Sequence, residues 1–272
     1  MWRLGSAMTG SKFSYGWKQN LQFSVSTTFH LNPGEHPVGR FAATMPGNPE
    51  VEGLLAWRFV HKSTGIATRN ECTLFVGGSA LTQQPLRADG PPLDRQPGLY
   101  GALAAGHISR TYSVWTGAGF QHYGAWNSHE LDHQSDTFLT SLALGWRPPF
   151  LAHDYPKPDF RLFWETTGER IGHAWRSATE PVTTPPPGGG HYQDWVAQQS
   201  TPNSSGVVVL PNSGGSGVYS GPTFLCTYRG VAFQAGVLFR VWDQPNGTQP
   251  SDRFRAMVGF SYFFLGGRRR GK

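Results

Sequence analysis

"FRAMVGFSYFF", residues 254–264, divides cleanly on alternate positions. Phe254, Ala256, Val258, Phe260, Tyr262 and Phe264 form one set, apolar and aromatic throughout. Arg255, Met257, Gly259, Ser261 and Phe263 form the other, mixed, small and partly charged. Two is the period of a β-strand, whose successive side chains point to opposite faces. The stretch predicts a strand with apolar surroundings on one side and a polar environment on the other.

The same period recurs upstream. "LQFSVSTTFHL" (21–31) sets Leu21, Phe23, Val25, Phe29 and Leu31 against Gln22, Ser24, Ser26, Thr28 and His30. "TYSVWTGAGF" (111–120), "FLTSLALGW" (138–146) and "VAFQAGVLFRV" (231–241) alternate likewise. These are β periods rather than helical ones. Strands are expected at 12–19, 21–31, 52–61, 64–77, 98–108, 110–123, 135–147, 159–169, 217–228, 230–242 and 252–264.

Composition says where the apolar faces point. Of 272 residues only 15% are Asp, Glu, Lys or Arg, against roughly 25% in a typical soluble domain. Yet mean hydropathy is negative, −0.39, and no stretch approaches the roughly 20 apolar residues of a membrane-spanning helix. Helical membrane spans are excluded. Gly (35), Trp (10), Tyr (9) and Phe (18) are abundant. Few charges, many aromatics and no long apolar run suit a transmembrane β-barrel, apolar on alternate residues and polar inside. A soluble sandwich also alternates, but its solvent face would carry Lys and Glu. Here that face is rich in Gly, Ser and Gln. Aromatic rings also end the apolar faces, at Phe13–Tyr15–Trp17, Trp57–Phe59, Trp146, Trp164 and Tyr262–Phe264. Interfacial aromatic girdles have that placement.

The expected fold is therefore all-β, one antiparallel transmembrane β-barrel domain over 1–272. Short links near Lys18–Asn20, His61–Ser63, Ser109–Arg110 and Arg229–Gly230 alternate with long ones at Asn32–Pro49, Ala80–Pro97, Gly124–Gln134, Arg170–Ser216 and Asp243–Ser251. Short periplasmic turns and long extracellular loops would do this. The link Pro148–Pro158 is long for a turn. Eleven strands are marked, and bacterial barrels carry an even number. About twelve are expected, residues 2–9 being the candidate for the missing one, with ten as the alternative. The Pro/Gly/Ser-rich segment within 170–216 predicts a long outer loop. "VVVL" (207–210) inside it is either a strand extension or an inward-folded plug.

"MWRLGSAMTGSKFSYG" has no apolar signal-peptide core. A barrel needs export, so the natural N-terminus and its signal are expected upstream. The net charge is +6, and the tail 265–272 ends in "GGRRRGK". No nucleic-acid motif stands beside it, so no nucleic-acid partner is expected. Cys72 and Cys226 are too few for a disulfide scaffold or zinc cluster. Both take the apolar parity and are expected as free thiols.

"SGPTFLCTYRGVAFQAGVLFRVWDQPNGTQPSDRFRAMVGFSYFF" (220–264) resembles the outer-membrane proteins of the MetA-pathway of phenol degradation family. It has a Gly-Pro opening a strand, a tight turn, a second strand ending near a Pro, and a final strand closing in aromatics. "SDTFLTSLALGWRP" and "DFRLFWETTGER" resemble that family's central strands. About half the chain takes part. The resemblance implies an outer-membrane channel for hydrophobic or aromatic solutes. The alternating aromatics up to Phe264 also resemble a C-terminal barrel recognition signal, although "LGGRRRGK" follows here.

By parity, Arg58, Arg69, Glu71, Arg147, Arg161, Glu165, Arg240 and Arg255 point inward, with Gln234 beside them. They are the lumen-lining candidates. Arg on the lipid side would cost about 2–4 kcal/mol at the midplane. Inside, such residues either line a conduit and bias it toward anions, or pair and brace the interior. "HYGAWNSHELDHQSD" (122–136) places His129 and His133 four apart, a metal-binding spacing only on a helix. Between two strands it predicts a polar outer loop, and no metal is expected. Ser113 and His122 share a strand but not a face, His30 stands steps away from Ser24 and Ser26, and no G-x-S-x-G elbow occurs. No catalytic residue and no cofactor are expected. The expectation is a monomeric channel in the bacterial outer membrane, contacting lipid and small solutes. The alternatives are a closed barrel whose outer loops meet a surface partner, and a membrane-embedded hydrolase.

Overall fold

A computed structural model describes residues 8–30, 50–65, 68–81, 97–123, 136–153, 157–173, 175–177, 207–209, 214–246 and 253–263. Every regular element among them is a β-strand. They are β1 (Met8–Lys18), β2 (Leu21–His30), β3 (Glu50–Gly65), β4 (Thr68–Leu81), β5 (Pro97–Ile108), β6 (Tyr112–Tyr123), β7 (Thr137–Trp146), β8 (Asp159–Ile171), β9 (Trp175–Ser177), β10 (Val207–Val209), β11 (Gly215–Tyr228), β12 (Val231–Pro245) and β13 (Phe254–Tyr262). Eleven form one antiparallel meander in the order β1-β2-β3-β4-β5-β6-β7-β8-β11-β12-β13. The other two, β9 and β10, pair only with each other. Val207–Val209 is thus half of a small ribbon, formed by the segments that follow β8 and precede β11, strands that themselves pair.

Each strand forms because its alternation buries nothing on one side and satisfies polar groups on the other. Most expected boundaries fall within three residues of the observed ones. One link is corrected. The chain does not turn at His61–Ser63: β3 runs on to Gly65, pairing His61 with Glu71 and Ser63 with Arg69. A polar run inside a strand looks like a turn in sequence, but here it faces a polar partner across the ladder. Residues 2–7 of the candidate twelfth strand lie outside the described residues, and Met8 and Thr9 already belong to β1. The tail 265–272, Phe264 and His129–His133 lie outside them too. Among the described residues no pairing joins β1 to β13.

The link between β7 and β8 is long because Arg147 organises it. Its Nη2 donates to the His153 carbonyl at 2.9 Å and its Nε to Asp159 at 2.6 Å. Leu151 N–H donates to the Pro148 carbonyl at 3.0 Å, closing a turn. At the other end, Gly215 opens β11 with φ 128, a conformation glycine alone takes readily.

The register places side chains consistently on two faces. Thirty-two large apolar or aromatic side chains are exposed among the described residues, whereas the buried apolar ones are Tyr219 and Ala232 in the strands and Pro148 in the link after β7. Buried polar residues include Ser24, Glu71, Ser79, Ser113 and Thr223. This inverts the usual arrangement of a soluble domain. The apolar face carries Trp17, Tyr112, Trp146, Tyr228 and Tyr262 at the short-link ends of β1, β6, β7, β11 and β13. Cys72 and Cys226 are free and half-buried on this face, opposite Val60 and Phe233.

The polar face is concave. Arg255 on β13 holds Glu169 on β8 with two hydrogen bonds of 2.9 Å. Arg255 is level with Leu238 of β12, whereas Glu169 is level with Gly217 of β11. In a flat sheet three strand spacings and four residue steps would separate the Cα atoms by roughly 20 Å. Extended Arg and Glu side chains cannot bridge that, so the sheet curls.

Pro222 sits in an inner strand, where a proline is unusual. The ladder to β12 skips Gly221 and Pro222. A Cβ on Gly221 would run into the Val237 carbonyl. Gly221→Val is expected to lower stability by about 1–3 kcal/mol, as overpacking does. Gly101→Val, with open space around it, serves as the control. Urea midpoints of the two variants check this.

Candidate functional site

The strand pairings put all nine sequence-selected residues on the concave face. Arg58 opposes Thr73 and is followed by a bulge at Phe59. Arg69 and Glu71 oppose Ile108 and Gly106. Arg161 opposes Leu225, Glu165 opposes Gly221, Gln234 opposes Leu225, and Arg240 opposes Tyr219. Arg255 opposes Leu238, and Arg147 continues the parity of Gly145 on β7. They do not form one site. They divide between the two ends of the strands.

At the short-link end, guanidinium groups outnumber carboxylates. Glu71, with a side chain only 9% exposed, is shared by Arg69 and, at 3.8 Å, by Arg58. Asp159 is shared by Arg147 at 2.6 Å and Arg161 at 3.3 Å. Arg58 also donates to the Gln19 carbonyl at 2.5 Å. Shared carboxylates leave donor capacity over, because each guanidinium has five N–H groups in a fixed fork. Above them lies a cavity of about 660 Å³, whose walls include Arg69, Arg110, Trp115, Arg147, Arg161 and Phe163. Those residues come from β4, the β5–β6 turn, β6, β7 and β8, so the sheet wraps this space.

At the long-link end the charges balance around an aromatic ring. Tyr219 is fully buried. The Arg255 guanidinium stands 3.7 Å from its ring centroid and that of Arg240 4.9 Å. Both donate to its hydroxyl, Arg255 at 2.8 Å. Arg255 forks onto Glu169, and Arg240 pairs with Asp243 at 2.6 Å. Stacked and bidentate arginines of this kind are rigid, and a lysine could not replace them. Between the two clusters, Glu165 accepts a hydrogen bond from Thr223 at 2.6 Å, and Gln234 lies over Gly259.

The sequence supplied the arginines and one of their partners, Glu71, but not Asp159, Glu169 or Asp243. Asp159 and Glu169 share the parity of Arg161 and Glu165, so that signal was there. His61 and Asp243 were hidden by bulges: one extra residue at Phe59 and one at Val241 reverse the parity beyond them. Arg110 sits in a turn, where parity says nothing. Ser113 is buried on the concave face, whereas His122 lies on the other and pairs with Asp136 at 2.6 Å. Among the described residues no three His, Cys, Asp or Glu come together as metal ligands.

If the Arg255–Glu169 fork braces the curl, the two residues must be coupled energetically. In a double-mutant cycle of Arg255→Gln and Glu169→Gln, a coupling of about 1–3 kcal/mol is expected. Additive effects in urea unfolding would refute the brace. No protein-family model matches the chain, and no curated protein matches it.

Proposed function

We propose that the chain is an outer-membrane β-barrel channel of the kind grouped in the MetA-pathway of phenol degradation family. It passes small solutes of hydrophobic or aromatic character by diffusion, without a cofactor and without catalysis. One observation carries this: the sheet turns its apolar side chains outward, exposed, and its charged side chains into a concavity. Only an apolar medium makes such an exterior favourable, since soluble proteins rarely expose apolar patches beyond a few hundred Å². The aromatic rings at the short-link ends suit a membrane interface. The cavity among the arginines suits a conduit entered from the periplasm.

Closure of the sheet is part of the proposal. β1 and β13 run in the same direction, because eleven antiparallel strands separate like from like. A seam between them is either parallel or needs one more strand. Lipid tolerates no open edge, so one of the two must hold. The alternative, a closed barrel whose loops meet a surface partner, draws on the Tyr219 cluster, which fills interior space near the long links.

Purified protein in a planar bilayer is expected to give small conductance steps with weak anion preference. A complete lack of current at every voltage would favour the closed barrel. Leu142→Arg, on the convex face mid-strand, is expected to cost about 2–4 kcal/mol of folding into bilayers. Ser141→Arg, on the concave face, should cost far less. Equal penalties would remove the lipid from the convex side.

A further inference from the structure

We infer that the cavity at the short-link end is a binding site for an organic anion that joins one carboxylate-like head to a flat apolar body. Its walls supply both halves of that chemistry. Arg69 and Arg161 each spend Nε on a carboxylate, and their Nη groups meet no partner among the described residues. Arg110, at the rim, has no ion pair among them. Counting Arg147 in the wall and Arg58 beside it, five guanidinium groups among the described residues face two carboxylates, Glu71 and Asp159, an excess of three positive charges among them. Forked N–H donors recognise a planar oxyanion through two parallel hydrogen bonds. The rest of the wall mixes an apolar set, Trp115, Phe163, Leu225 and Ile108, with the small polar residues Ser63, Thr68, Ser109 and Ser113 and with His61. Trp115 lies flat across Gly106, where a Cβ would strike the indole, so glycine there lets the ring lie against the wall. The cavity, about 660 Å³, falls in the range of small-molecule sites, which pair apolar walls with a few placed polar groups. An inorganic anion would use the arginines and waste the rings. A neutral aromatic would use the rings and leave the excess charge unanswered.

The site deepens the proposed channel by naming its solute, and rests on it only for that use. Binding is tested apart from conduction, by titration calorimetry of the whole chain in zwitterionic detergent. Sodium benzoate, sodium acetate and benzyl alcohol are the probes. Benzoate is expected to bind saturably, with acetate and benzyl alcohol each at least roughly tenfold weaker, the loss expected for one charge-assisted contact or one buried ring. Arg161→Gln should weaken benzoate by roughly the same factor, and Arg161→Lys should restore only part of it. Acetate equal to benzoate would reduce the site to a diffuse positive field. Benzyl alcohol equal to benzoate would reduce it to a greasy pocket. Either result overturns the inference, and neither needs a variant that folds. Benzoate binding in a protein that passes no current would leave the site standing and remove the channel.

Discussion

Register is the constraint on which the rest depends. Ten strand pairings in a row keep one set of side chains on the convex face and the other on the concave face. A slip of one residue in any pairing would send every side chain beyond it to the wrong side. Two departures from strict alternation occur where charge clusters are built. The bulge at Phe59 turns His61 and Ser63 onto the face that holds Glu71 and Arg69. The bulge at Val241 turns Asp243 toward Arg240. Bulges re-aim side chains in this way at sheet ends, and here they bring partners to charges that strict parity would have separated.

Energetics then assign a medium to each face. An arginine on the convex side would stand among Leu, Val, Phe and Trp with no partner. On the concave side every candidate arginine has a carboxylate, and Tyr219 carries two guanidinium groups on its ring. The pairs are not worth much one by one when exposed, but shared carboxylates and the Arg255–Glu169 fork tie strands that are not neighbours. That cross-sheet tie spans the curvature where a buried apolar core is lacking among the described residues.

Much of this was legible in the chain, for a physical reason. A strand whose two faces meet different surroundings must alternate, so "FRAMVGFSYFF" exposes its own orientation. The same alternation placed Arg58, Arg69, Glu71, Arg147, Arg161, Glu165, Gln234, Arg240 and Arg255 on one face. What parity could not give was pairing across the sheet. Glu169 meets Arg255 only because four strands curl, and no local pattern encodes a contact 86 residues apart. Nor could it see bulges, which read in sequence like any other residue. The stretch "HKSTG" looked like a turn because its polarity answers a polar partner strand, whereas polarity in a lone sequence usually means solvent.

The two ends of the concave face differ in a way that bears on how a solute would move. Near the long links, among the described residues, Arg240 and Arg255 meet Glu169 and Asp243, two charges against two, around a buried ring. Near the short links, four guanidinium groups share two carboxylates and Arg110 has no ion pair among the described residues. The field is therefore not uniform along the strands: it attracts anions into one end and offers them little at the other. Low-dielectric walls focus such a field within a cleft, so the excess acts well inside the cavity. A negatively charged solute entering from the short-link side would gain attraction early and meet the Tyr219 cluster late. In the proposed channel, resistance to passage would lie with the balanced cluster, whose groups are stacked and forked, and selectivity with the unbalanced one. Separating the two roles along the strands of such a channel would let capture be strong without the same residues having to release the solute at the far side.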